Sequence, residues 1–342
     1  MRYSQSEKME VIRLVEGSAL PVSRTLAEFD VPRSTFYRWY AAYVREGYDG
    51  LASRAGQRRR FWNRIPDVER ERVAELAIEK PEASPRELAW HITDSEGWFV
   101  SESSVYRILK SYDLVASPNY IVLSAASEFQ HKTRRVHELW QTDFTYMKVI
   151  GWGWYYLSTI LDDYSRYIIA WTLSTGMAAT DVKETLDRAV EKTGVTDARV
   201  RHRPRLLSDN GPAYVSKELE TYLAEKEIDH TRGRPYHPMT QGKIERYHRT
   251  MKNVVTLQNY HAPWELEQEL ERFVHQYNHK RYHESLNNLT PADVYHGRDR
   301  EITTARTLVK MQTLERRRRE NLGLKVKKQE PIRPAELRES VY

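Results

Sequence analysis

Three carboxylates, Asp143, Asp209 and Glu245, stand where a strand or a helix face would present them. Asp143 lies in Trp140-Gln141-Thr142-Asp143-Phe144-Thr145-Tyr146, an alternating run with aromatic and β-branched residues that reads as a strand. Asp209 closes the apolar stretch Leu206-Leu207-Ser208 and precedes Asn210-Gly211-Pro212, a turn signal that leaves the carboxylate at the strand's end. Glu245 opens a helix after His237-Pro238-Met239-Thr240-Gln241-Gly242, with 35 residues between it and Asp209. Carboxylates gathered from distant parts of a chain can hold two divalent ions about 3.5–4 Å apart, the arrangement used for in-line phosphoryl transfer on nucleic acids. Magnesium suits such donors, because it is a hard cation that takes one or two carboxylates plus substrate phosphate oxygens. One ion would activate water or a DNA 3′-hydroxyl and the other would stabilise the leaving oxygen. No residue need become attached to DNA, unlike recombinases with a Ser or Tyr nucleophile, for which the tyrosines here offer no specific signal.

Other groups around the triad read less sharply. Asp162 and Asp163 are rival acids, but the turn character of Asp163-Tyr164-Ser165 favours a hairpin role. His237 either positions substrate or orders its own loop. Positions 245, 248, 249 and 252 share one helix face, so Glu245, His248, Arg249 and Lys252 combine a ligand with cations. That face could hold a DNA backbone, chiefly through Lys252, or be a solvated polar stripe.

These groups need a scaffold, and from Leu139 onward the pattern supplies one. Strands are expected at Leu139 to Val149, Tyr155 to Asp162, Ile168 to Leu173, Arg205 to Ser208 and Asp229 to Arg232. Helices are expected at Thr180 to Thr193, Ser216 to Glu227, from near Gln241, and Trp264 to His279. Three strands without a helix and then alternating helices and strands describe an α/β ribonuclease-H-like core with a mixed five-stranded sheet, over residues 139–297.

The region before the core is helical. Ser6 to Val15, Val22 to Glu28 and Ser34 to Val44 form one trio in residues 1–50, punctuated by Pro21 and Asp30-Val31-Pro32. Such a trio is a helix-turn-helix unit whose last helix enters the major groove, or a plain three-helix bundle. Arg33, Ser34, Thr35, Tyr37 and Arg38 would reach DNA, with Phe36 and Trp39 in the core. A second trio in residues 66–115, Pro66 to Glu79, Ser84 to Thr93 and Ser101 to Tyr112, offers Ser103, Ser104 and Arg107, with Ser84 and Ser101 as N-caps. Residues 51–65 join the two with Arg58, Arg59 and Arg60, either a phosphate-tracking arm or a solvated linker. A further linker covers residues 116–138. The last segment, residues 298–342, carries Arg316-Arg317-Arg318-Arg319 and Lys325-Val326-Lys327-Lys328 and reads as a solvated basic tail.

With 342 residues the chain has room for two or three domains, and a formal charge of +6 with a pI near 9.2 suits a polyanionic partner. The absence of cysteine excludes disulfides and thiolate zinc sites and makes a reducing cytoplasm the simplest setting. The N-terminus lacks a signal-peptide core, and no stretch approaches the ~18 apolar residues of a membrane span.

The motifs Trp140-Gln141-Thr142-Asp143-Phe144-Thr145, Leu161-Asp162-Asp163-Tyr164-Ser165-Arg166, Ser208-Asp209-Asn210-Gly211 and His237-Pro238-Met239-Thr240-Gln241-Gly242-Lys243-Ile244-Glu245-Arg246 resemble the catalytic core of bacterial insertion-sequence transposases in the retroviral-integrase superfamily. Tyr277-Asn278, Arg281, His283, Leu286 and Thr290-Pro291 resemble the block that follows that core, and the likeness covers most of residues 5–297. It implies a magnesium- or manganese-dependent Asp143-Asp209-Glu245 triad, cleavage at transposon ends, strand transfer into target DNA, and homo-oligomers that pair two double-stranded DNA ends. Tyr282 stands where that block has proline, so the local loop geometry should differ. Without cysteine the zinc domain of retroviral integrases is impossible, and end recognition falls to the helix-turn-helix units. Two other readings compete: a transposase-derived DNA-binding regulator without catalysis, and a general ribonuclease H, which would leave the two helical units idle.

Overall fold

The structure, a computed structural model, describes residues 3, 5–18, 20–52, 61–114, 133–197, 202–233, 242–325 and 330–338. The chain divides into two compact units, Met1–Arg64 and Ile65–Tyr342.

The first unit contains α1 (Gln5–Glu16), α2 (Val22–Glu28) and α3 (Arg33–Gly50). Pro21 and Pro32 sit immediately before α2 and α3, where a missing N–H costs nothing, and Asp30 turns the chain between them at φ 53°. Ile12, Leu26, Phe36, Trp39 and Leu51 close a small apolar core. Phe36 and Trp39, one turn apart, anchor α3, which leaves Arg33, Ser34, Tyr37 and Arg38 exposed and Thr35 half-buried.

The second unit begins with α4 (Asp67–Glu79), α5 (Pro85–His91), which runs on through a π-helical turn at Ile92–Glu96, and α6 (Glu102–Ser111). Both expected caps form: Ser84 Oγ accepts from the Glu87 N–H at 3.3 Å within a capping box, and Ser101 Oγ accepts from Ser104 N–H at 3.3 Å. The core follows as β1 (Leu139–Val149), β2 (Gly153–Asp162), β3 (Ile168–Ser174), α7 (Ala179–Thr193), β4 (Arg205–Ser208), α8 (Lys217–Glu225), β5 (His230–Arg232), α9 (Gly242–Val255) and α10 (Pro263–His279). The sheet order is β3-β2-β1-β4-β5, antiparallel from β1 to β3 and parallel from β1 to β5. This is the mixed five-stranded sheet of a ribonuclease-H-like fold.

Strand alternation divides the core in two. Trp140 and Ile160 face Val182 and Leu186 of α7 and Leu219 of α8, whereas Met147, Leu157 and Leu161 face Ile244, Tyr247 and Met251 of α9 and Leu266 of α10. Asn278 at the end of α10 docks on β3 like a neighbouring strand: its Oδ1 accepts from Ile168 N–H at 2.9 Å and its Nδ2 donates to Ile168 O at 3.0 Å.

The C-terminal segment differs from a solvated tail. After α11 (Pro291–Tyr295), residues Asp299–Leu322 form the long helix α12, and Pro334–Arg338 form a 3-10 turn. Arg306 and Arg317 on α12 are buried, because their partners are carboxylates of the second helical trio. Asp94, fully buried, receives Arg306 through Nε and Nη2, both at 2.7 Å, Arg338 Nη2 at 2.9 Å and the Tyr282 hydroxyl at 3.2 Å. Glu69 receives Arg316 and Arg317, the latter at 2.7 Å. Only Arg318 of the four-arginine run is exposed. Gly97 ends the π turn at φ 72°, and a Cβ there would lie 3.0 Å from the Ile332 carbonyl oxygen, so glycine admits the returning chain. Tyr282, in place of that proline, sends its hydroxyl to the helical trio.

Candidate active site

β4 lies beside β1 only from Leu139↔Arg205 to Gln141↔Leu207. Carried two residues further, the same offset sets Asp143 against Asp209. Both charges act on Tyr214, a fully buried phenol pushed well above its usual range by burial first and by Asp143 and Asp209 in addition. The Tyr214 hydroxyl lies 3.3 Å from Thr142 Oγ1.

Asp143 is half-buried: its Oδ1 accepts from Phe144 N–H at 2.9 Å, and its Oδ2 lies 3.3 Å from Nδ1 of His248. His248 belongs to α9, three residues after Glu245, so the helix face that carries Glu245 touches Asp143. The imidazole is buried, and its Nε2 has no partner among the described residues. Asp209 is exposed and its Oδ1 accepts from Gly211 N–H at 2.9 Å. A Cβ on Gly211 would lie 3.1 Å from that oxygen, so glycine keeps the turn close. Asn210 Nδ2 donates to Gly233 O at 2.8 Å, which ties this turn to the end of β5.

The start of α9 is braced by Gln141 and Lys243, to which sequence reasoning assigned no role, and by Asp163, read there only as a hairpin acid. Gln141 Oε1 accepts from Ile244 N–H at 3.1 Å while its Nε2 donates to Asp163 Oδ1 at 2.7 Å. Lys243 Nζ also binds the Asp163 carboxylate and donates to its carbonyl at 3.0 Å. Burial and then Arg166 lower the Lys243 ammonium, against the pull of Asp163. These three residues fix the turn that presents Glu245. Their only sequence signal was their presence inside the motifs around Asp143, Asp163 and Glu245.

Asp162 is fully buried and held by Ser165 N–H at 2.8 Å, Ser165 Oγ at 2.6 Å and His137 N–H at 2.8 Å. Burial raises its carboxyl against those hydrogen bonds. Both rival acids therefore belong to the β2–β3 turn and its braces.

Hard carboxylate oxygens are the donors a divalent cation such as magnesium prefers, and Asp209 and Glu245 are exposed. Among the described residues, however, no three His, Cys, Asp or Glu side chains gather closely enough to hold a metal ion. Asp143 and Asp209 share a neighbourhood, and Glu245 is linked to it through His248 without the three closing on one point.

Of the residues expected to meet DNA, Ser103 and Arg107 are exposed on α6 and Ser104 is half-buried. Arg107 folds back, its Nε donating to Ser103 O at 3.0 Å and its Nη2 to Ser104 Oγ at 3.3 Å. Arg249 is exposed, and Lys252 Nζ sits 4.3 Å from the centre of the Tyr146 ring. Arg58, Arg59, Arg60 and His237 lie outside the described residues.

Comparison with known proteins agrees with this geometry. Residues 133–238 and 226–291 match two families described as Integrase core domain, and residues 2–52 and 35–109 match two described as Homeodomain-like domain. The chain thus carries an integrase core domain and homeodomain-like helical domains. It is 34% identical over 114 residues to the Gag-Pro-Pol polyprotein of Mouse mammary tumor virus, covering 33% of this chain and 6% of that relative. It is 34% identical over 122 residues to the Intracisternal A-particle Pol-related polyprotein of Mouse intracisternal a-particle MIA14, covering 35% and 13%. The chain therefore spans a small part of the curated relatives it matches. Among solved structures, a chain of the simian T-cell lymphotropic virus intasome is 20% identical with a TM-score of 0.42, covering 66% of this chain and 74% of that one. The HTLV-2 integrase catalytic core domain in complex with magnesium is 19% identical with a TM-score of 0.38, covering 47% and 98%. Among the described residues no helix is long and apolar enough to cross a membrane.

Proposed function

We propose that the chain is a transposase of the bacterial insertion-sequence type. It binds the terminal inverted repeats of a mobile element through its helical units, cuts the element's ends and joins them to target DNA. The observation that carries this reading is the position of Asp143 on β1, two residues past the last β1–β4 pair, beside Tyr214, on which Asp209 also acts, and in contact with the α9 face that bears Glu245.

In this reading Asp143, Asp209 and Glu245, once drawn together, would hold two magnesium or manganese ions, which would supply an activated attacking oxygen and a stabilised leaving oxygen. The remaining work belongs to the chain. His248 orients Asp143, while Gln141, Asp163 and Lys243 set the pitch of α9. Tyr214 stays protonated and adds no negative charge between the two aspartates. Arg249 and Lys252 lie along the same helix face and receive the DNA backbone, and a homo-oligomer pairs the two ends.

Purified full-length protein with magnesium should nick or join duplex DNA carrying the inverted repeats that flank its gene. Asp209→Asn should reduce products to background while repeat binding persists; full activity in that variant sinks the assignment. The open arrangement of the three acids favours a second reading, a DNA-binding regulator without catalysis. It predicts repeat binding and no metal-dependent product on any end sequence.

A further inference from the structure

We infer that Tyr146, Lys148, Trp154 and Lys252 form a stacking site for an unpaired nucleotide of the DNA substrate, at the open edge of β1 beyond Asp143. The inference rests on the proposed strand-transfer function and adds to it the form of DNA that is held.

The site begins where β4 ends. Beyond Gln141 no described strand pairs with β1 on its β4 side, so that edge of β1 is open from Thr142 onward. Register partners Tyr146↔Tyr156 and Lys148↔Trp154 place Tyr146, Lys148 and Trp154 on one face of the β1–β2 hairpin. Tyr146 is 55% exposed and Trp154 52% exposed. Their rings meet edge-on at 78° with centroids 5.4 Å apart, and Lys252 reaches across from α9 to lie over Tyr146. Aromatic rings left in water at this density mark a binding surface.

Charge selects the occupant. No Asp or Glu occurs from residue 144 to 161 or from 246 to 264, whereas Lys148, Arg246, Arg249 and Lys252 do. A second copy of this chain related by a two-fold axis would set Lys148 and Lys252 against their own equivalents, which like-charge repulsion disfavours. A nucleotide offers what the site lacks, a flat π-face for Trp154 and phosphates for the lysines. Bases inside a duplex have both faces covered, so the base must be unstacked. Tyr146 is three residues past Asp143, about 10 Å along β1 and on the opposite face by strand alternation, and Lys252 bridges the two faces around the strand's open edge. The site would therefore grip a frayed or overhanging end at that edge.

The experiment measures binding of the full chain, in the presence of a chelator, to a fluorescein-labelled blunt duplex and to the same duplex with a short oligothymidine overhang. The overhang should tighten binding to the unaltered protein. Trp154→Ala and Tyr146→Ala should each weaken overhang binding about tenfold, Trp154→Phe and Tyr146→Phe should retain it, and blunt-duplex affinity should not change. Three results would overturn the inference: no overhang preference in the unaltered chain, an undiminished preference in Trp154→Ala, or equal losses on both probes. Displacement of a polyglutamate peptide, with no effect of the overhang, would also overturn it and would point to an acidic protein partner. Because the probe carries no terminal repeat and no metal is present, the outcome is independent of strand joining. A chain that fails to join repeats with magnesium but keeps its overhang preference would sink the catalytic reading alone.

Discussion

Two helical trios of similar plan are stabilised in different ways. The first closes on its own apolar residues, Ile12, Leu26, Phe36, Trp39 and Leu51, and α3 is additionally tied to α1 by Gln5 Nε2 donating to Tyr48 O at 2.9 Å. The second has an apolar core around Val73, Leu88, Ile92 and Val105, and it also buries two acids, Glu69 and Asp94. Arginines more than 200 residues away in sequence complete those acids. An apolar core makes a unit that can melt alone. A buried ionic network is a poor source of net stability but a strict one, since losing either partner strands a charge. The helix α6 is thereby joined to the fate of the integrase core.

That contrast is broken or upheld most forcefully by paired substitutions. Asp94→Ala would leave the buried Arg306 without its carboxylate, while the half-buried Arg338 keeps Asp293, a loss of about 3–5 kcal/mol. Phe36→Ala costs about the same through an unfilled cavity. Hydrogen exchange resolved by segment distinguishes where each cost falls. Asp94→Ala should lower protection together in α4 to α6 and in α10 to α12, whereas Phe36→Ala should lower it in α1 to α3 only. If Asp94→Ala loosened only α4 to α6, the ionic network would not be coupling the trio to the core.

The same contrast explains what could be read from the sequence. β1 and β4 have the bounds expected from alternation and from the Asn210-Gly211-Pro212 turn, because strand period and turn chemistry are local. The caps at Ser84 and Ser101 were legible for the same reason. Asp94 and Arg306 carry no mark of each other, and Arg316 to Arg319 look like any solvated run until Glu69 is placed beside them. Within the candidate site, the three acids were legible as candidates, while the bracing of α9 by Gln141, Asp163 and Lys243 required three-dimensional neighbours.

Acid should separate the two trios as well. His283, in the loop that follows the core, is lowered to about 3 by burial first and then by Arg281, Arg166, Arg86 and Arg246. The unfolded chain takes up that proton near the ordinary value of 6.5, and the folded chain does so only near 3. The stabilising contribution is therefore complete above pH 6.5 and is lost as pH falls toward 3, by at most about 1.4 kcal/mol per pH unit. His91, His137, His230, His279 and His296 are also lowered chiefly by burial, so the second unit should weaken collectively. Residues 1–52 contain no histidine and should hold steady from pH 7 to about 5.5. His283→Gln should flatten part of the second unit's decline; an unchanged slope would remove His283 from the account.

On DNA the difference becomes smaller and reverses its direction. Arg38 has no hydrogen bond or ion pair among the described residues, whereas Arg107 already donates to Ser103 O and Ser104 Oγ. Arg38→Ala should reduce the slope of log affinity against log salt by about one, as expected for a lost phosphate contact. Arg107→Ala should change it less. Equal slopes for both variants would mean that the intrahelical bonds of Arg107 open freely on binding.

The smallest change tests how much redundancy the ionic network contains. Tyr282→Phe removes one hydroxyl and leaves the ring in place. Asp94 Oδ2 would keep Arg306 at 2.7 Å and Arg338 at 2.9 Å. The carboxylate remains paired, so the cost should be that of one hydrogen bond, about 1 kcal/mol. Urea unfolding of the second unit should show a lower midpoint with an unaltered slope. A loss approaching that of Asp94→Ala would mean that Tyr282, standing where the related block has proline, orders the arginines themselves. A loss near zero would mean that Arg306 and Arg338 hold Asp94 without help from Tyr282.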